Sequence, residues 1–187
     1  MNFITGIVCF FTLSHAAVAS AQCDLTDTNT LDRLFPQQAP WIQVGDGALP
    51  PGLAVPGVTT CLFATDPRAS GDLFVDPQAP TVSVTKIVMR SAADAASRVS
   101  AAIERHGNDA ASNPQVLRGI GDRAFGYRPA SADGKATADV LFLTSHRAEI
   151  LVEEWLHWPG EISPDNQGAA AALMKSVLHA AELHSDK

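Results

Sequence analysis

Positive charge is scarce in this chain. Thirteen Lys and Arg stand against 20 Asp and Glu, for a net charge of −7 over 187 residues, and the basic residues are scattered singly. A phosphate track needs clustered cations to displace counterions, so neither nucleic acid nor an anionic membrane surface is an expected partner. Nucleotide loops are lacking as well. The stretch RGIGDRAFGY (118–127) holds three glycines but neither the Lys nor the hydroxyl that a Walker loop requires. Loop-like sequence precedes its glycines and strand-like sequence follows, the reverse of a dinucleotide fingerprint, so no helix start is available for a phosphate. There is no Gly-x-Ser-x-Gly elbow, no His-x-x-x-His pair, no internal repeat and no heptad seam. No cofactor is expected.

Cysteine is nearly absent too, with three in the chain. Cys9 falls in an apolar run, FITGIVCFFTL (3–13), followed by SHAAVASA with Ala19-Ser20-Ala21 as a small-x-small cleavage pattern. This predicts a signal peptide over residues 1–21, although its start carries no Lys or Arg, and one mature domain over 22–187. The run is too short to span a bilayer, so no stable transmembrane segment is expected after cleavage. The chain is then exported, periplasmic or extracellular. Two cysteines remain, Cys23 and Cys61, and an even pair in an exported protein reads as a disulfide. The rival reading makes Cys23 the acylated first residue of a lipoprotein, but Gln22 stands where a small residue is needed.

What is present is a soluble composition, 46% hydrophobic and 18% charged, with periodicities that mark elements. Residues 25–35 predict a short helix capped by Thr26 or Asp27 and stopped by Pro36, with Leu31, Leu34 and Phe35 on one face. The Gly- and Pro-rich 45–57 and the turn-rich 66–80 read as loops, and 57–65 and 81–90 as strands. Ser91, Asp94 and Gly107 bound a helix whose apolar stripe runs through Ala95, Val99 and Ile103. His106 sits in its last turn, where a cation suits the helix dipole. Strands at about 139–144 and 148–157 form a hairpin through Ser145-His146-Arg147, and Pro164 opens a C-terminal helix. Strands gathered in hairpins with helices outside them predict an α+β fold, an antiparallel sheet with helices packed on one face. Gly119, Gly121 and Asp122 are read as a structural turn, with Asp122 bonding the turn's own backbone.

Two clusters invite chemistry. Glu153, Glu154 and His157, with His146 across the hairpin, hold ligand-type side chains, and Glu153 and His157 share a strand face. That supports, as the second reading, a metal-dependent or hydrolytic enzyme using Glu153, His157 and His146, but two ligands fall short of a zinc set. No metal and no catalytic residue are assigned. The first reading is recognition: Trp155 and Trp158 flank His157 beside Glu153 and a Pro-Gly break, and Trp is enriched among binding hot spots.

The early Cys23-Asp24-Leu25-Thr26, the strand Thr60-Cys61-Leu62-Phe63 and the turn Gly-Ile-Gly-Asp-Arg-Ala-Phe (119–125) together resemble a known group. It comprises exported domains of unknown function common in actinobacterial lipoproteins, with the related extracellular sensor domain of a mycobacterial Ser/Thr kinase. The resemblance implies an α+β sheet with packed helices, paired cysteines at Cys23 and Cys61, and a fold-defining turn at Gly121, Asp122 and Ala124. It also implies ligand or partner binding rather than catalysis. The chain departs from it in lacking a lipobox. The expected function is therefore a non-enzymatic exported domain binding a protein or small ligand at the envelope, with an inhibitor or immunity-type protein as one form.

Overall fold

Side-chain capping sets where the helices begin. In the computed structural model, described over residues 23–45, 56–67, 79–129 and 138–185, helix α1 (Thr28–Leu34) starts at Asp27, whose carboxylate accepts from the Thr30 amide at 2.7 Å. Asp27, rather than Thr26, is thus the cap. Helix α2 (Ala92–His106) starts at Ser91, whose hydroxyl accepts from the Asp94 amide at 3.1 Å, and closes at Gly107. Helix α3 spans Pro164–Ser185. The predicted signal peptide, and most of the two predicted loops, lie outside the described residues.

Among the described residues one seven-stranded sheet forms, every neighbouring pair antiparallel, in the order β1-β2-β3-β7-β6-β5-β4. The strands are β1 (Ile42–Gly45), β2 (Val58–Ala64), β3 (Thr81–Val88), β4 (Gln115–Leu117), β5 (Arg123–Tyr127), β6 (Ala138–Arg147) and β7 (Ile150–Pro159). Two meanders, β1 to β3 and β4 to β7, meet where β3 pairs with β7, and α2 carries the chain from one to the other. The fold is α+β in a single domain, as expected.

The position of the helices differs from expectation. Helices α1 and α3 cover one face, where Leu31, Phe35, Leu173, Met174 and Val177 pack on Val84, Leu143, Val152 and Leu156. Helix α2 lies on the opposite face, where Val99 packs on Phe125 and Leu151. Alternation along the strands accounts for the split, since Ala124 and Phe125, or Leu151 and Val152, must point to opposite sides. An apolar stripe on α2 needs its own apolar floor, and the unbroken run Ile150-Leu151-Val152 supplies one by being buried on both faces.

The hairpin also differs. Ser145, His146 and Arg147 belong to β6, and the turn is the tighter Ala148-Glu149, with Arg147 paired to Ile150. Ser145 is fully buried, and its hydroxyl is shared between the carbonyls of Ile120 (3.2 Å) and Arg123 (3.1 Å). Partners on the neighbouring turn let polar residues extend the strand where composition suggests a loop. Asp122 serves the same junction. Its amide donates to the His146 carbonyl at 2.8 Å and its carboxylate accepts from the Ala148 amide at 3.0 Å. It therefore fastens the hairpin rather than its own turn, and Ala148 sits there at φ 49°.

Cys23 and Cys61 are disulfide-bonded, with Cα atoms 5.8 Å apart. The bond joins the segment before α1 to β2 inside the larger core.

Candidate functional site

The sheet face that carries α2 is unequally covered. Along β7, Ile150, Leu151 and Val152 are all buried, but beyond them burial alternates: Glu153, Trp155 and His157 are half-buried while Glu154, Leu156 and Trp158 are buried. The half-buried set belongs to the α2 face. Helix α2 thus shelters the start of β7 and leaves its second half partly open.

Register then assembles a row of rings on that face. Tyr127 of β5 stands opposite Phe142 of β6, and Phe142 opposite Trp155 of β7. Such directly opposed aromatic pairs are the strong cross-strand contacts of a sheet. Ring centroids are 5.1 Å apart for Tyr127–Phe142 and 4.5 Å for Phe142–Trp155, both tilted, the geometry that ring quadrupoles favour. At one end His106 of α2 stacks on Tyr127 at 3.9 Å and 10°. At the other, Trp155 lies 6.5 Å from His157 at 21°.

Between α2 and this row lies a cleft of about 70 Å³, walled by Arg98, Arg105 and His106 and floored by Tyr127, Phe142, Thr144 and Glu153. Glu153 accepts from Arg98 Nε at 3.3 Å. Thr144 is 1% exposed and its hydroxyl has no hydrogen-bond partner. A buried polar group left unpaired costs about 1–3 kcal/mol, so this hydroxyl marks a site with an unmet contact. Burial, more than the nearby Glu153 charge, raises the Tyr127 phenol above its ordinary value, with Arg105 and Arg98 opposing. It therefore remains a donor at neutral pH. Burial also lowers His157 below the ordinary 6.5, so its imidazole is neutral at pH 7.

The candidates read from sequence divide cleanly. Glu153, Trp155 and His157 come together on the α2 face. Trp158 does not join them. At 5% exposure it sits on the other face, 5.7 Å from Phe35 and 6.4 Å from Trp41, as part of the core beneath α1 and α3. Adjacent strand residues face opposite ways, so two tryptophans three apart cannot share a surface. Glu154 is separated from Glu153 for the same reason. It is completely buried between the sheet and α3, both oxygens are without partners, and desolvation holds its carboxyl well above the ordinary 4.5.

The proposed trio for catalysis is also dispersed. His146 pairs with Leu151, six positions along β7 from His157, which is about 20 Å at strand rise. Among the described residues no three of His, Cys, Asp and Glu converge to hold a metal. The turn at Gly119, Gly121 and Asp122 lies at the far end of the hairpin from Trp155 and supports structure.

Sequence reading misses Tyr127, Phe142, Thr144, Arg98 and Arg105. Alternation in AFGY and in LFLT could have put Tyr127, Phe142 and Thr144 on definite faces. Their meeting with α2 depends on register and on which face that helix chooses, and neither is written locally.

The chain is similar to the crystal structure of the extracellular domain of PknH from Mycobacterium tuberculosis, at 11% identity over 82% of this chain and 92% of that one, with a TM-score of 0.45. No protein-family profile and no curated protein matches it.

Proposed function

We propose that the protein is a non-enzymatic exported domain that binds a small ligand or a protein partner at the cell envelope, through the α2 face of its sheet. The observation that carries this reading is the row Tyr127–Phe142–Trp155, which ends in a half-buried Trp155 beside His157 where α2 no longer shelters the strand. Rigid aromatic surface next to polar groups offers a large contact area at low entropic cost, the property that makes Trp a frequent hot spot. Export is supported by the Cys23–Cys61 disulfide, since such bonds persist in oxidising compartments, and by the leader-like residues 1–21. An inhibitor or immunity-type partner protein is one form of this role.

Wild-type and Trp155→Ala proteins, immobilised and exposed to the native envelope fraction, test it. The Ala variant should retain at least tenfold less of whatever the wild type captures, while Val116→Ala, an exposed position at the far edge of the sheet, should match the wild type. Equal capture by the wild type and Trp155→Ala, with unchanged melting temperatures, would remove this face from the binding surface.

A further inference from the structure

The cleft beside α2 has a composition of its own. It holds two guanidinium groups and one carboxylate, and Arg98 is already engaged with Glu153 at 3.3 Å. Arg105 is exposed and forms no ion pair among the described residues. The wall therefore carries one uncompensated positive charge. Three donors surround the space: the Arg105 guanidinium, the buried and unpartnered Thr144 hydroxyl, and the Tyr127 phenol. The remaining surface is ring, from Tyr127 and Phe142 with His106 stacked behind.

We infer that this cleft binds the carboxylate head of an organic monoanion, whose apolar tail lies along Phe142 toward Trp155. The inference rests on the binding reading above and specifies its ligand. A single negative charge matches the single uncompensated positive one, and guanidinium with a hydroxyl donor suits a planar, two-oxygen acceptor. A volume of about 70 Å³ has room for several waters, and so for the carboxylate head. Phe142 both floors the cleft and touches Trp155, so a tail leaving the open side meets the row directly. A dianion such as phosphate would face Glu153 with one charge unmatched.

Calorimetric titration of the mature protein with 3-phenylpropionate, its neutral amide and inorganic phosphate tests this. The acid should bind at least tenfold more tightly than either comparison. Arg105→Gln and Thr144→Val should each weaken the acid at least fivefold. Thr144→Val keeps side-chain shape and removes only an unpaired hydroxyl, so it leaves the fold in place. A tripeptide ending in Phe, with free or amidated terminus, identifies the source of the carboxylate: tighter binding of the free-terminus peptide than of 3-phenylpropionate assigns a chain end, and the reverse a free acid. Equal binding of acid and amide, tighter binding of phosphate, or no binding of any probe overturns the inference. If it falls while Trp155-dependent capture persists, the face still binds a partner by other chemistry; if both fail, the binding reading falls with it.

Discussion

At Gly121 the chain turns with φ +58°, and a Cβ there would run into the His146 carbonyl and the Ser145 hydroxyl. A left-handed backbone costs an L residue about 1–2 kcal/mol, and the collision adds to it. Gly121→Ala should therefore lower stability by roughly 2–3 kcal/mol, read as a shifted urea midpoint with unchanged slope. Gly119, at φ +74° but facing open space, should lose only the backbone part. Glu154 makes a second prediction. Burial raises its carboxyl in the folded state above the ordinary 4.5 of the unfolded chain, so between those two values the folded state holds the extra proton. Stability then falls as pH rises, by up to about 1.4 kcal/mol per unit until the folded-state value is reached. Glu154→Gln does not titrate, so in urea melts at pH 5 and pH 8 the variant should gain on the wild type at the higher pH. An unchanged difference between the two pH values would mean that Glu154 is ionised in the core. Burial is the one cause of the shift, and across the sheet Glu154 stands between Val84 of β3 and Leu143 of β6. Sequence gave no warning, because Glu153 and Glu154 look alike until the strand's facing is known.

Among the elements, β7 carries most of the information. Its second portion is readable from sequence as a strand with Glu153 and His157 on one face, and the tryptophans Trp155 and Trp158 there are visible before any fold. The boundary between the sheltered and open halves was not, because it is set by where α2 lands. That helix was the clearest in the sequence, with Ser91 and Gly107 marking its ends, yet nothing local tells a helix which side of a sheet to take. The hairpin turn lies later in the chain than composition suggests, since buried Ser145 and His146 imitate a turn in composition while tertiary partners hold them in β6. The disulfide acts at this scale too. It closes a span of 38 residues between the segment before α1 and β2, which corresponds to about 4 kcal/mol in the chain-entropy account. Reduction, or Cys61→Ala, should cost stability of that order in denaturant melts, and α1, with its Leu31 and Phe35 contacts, should show the largest rise in amide exchange. A loss below about 1 kcal/mol would mean that core packing alone fixes the segment.

For the whole molecule, the two meanders meeting at β3 and β7 bring residues from distant parts of the sequence into one face, so the cleft is a product of topology. Arg105, Tyr127, Thr144 and Glu153 come from four elements, and no short motif could have announced them. Compartment belongs to this scale as well. We propose that the chain is processed after Ala21, so N-terminal sequencing of protein recovered from outside the cytoplasm should begin at Gln22. An intact residue 1 would refute cleavage, and an acylated Cys23 would replace it with the lipoprotein alternative. Net charge is the remaining whole-molecule quantity, and Glu154 alters it. The composition assigns −7 with every carboxylate ionised, but burial raises the Glu154 carboxyl, so between the ordinary 4.5 and that raised value the native protein is less negative than its composition implies. Unfolding within that pH window consequently hands a proton to the solvent, and the apparent heat of unfolding includes the heat of protonating whichever buffer receives it.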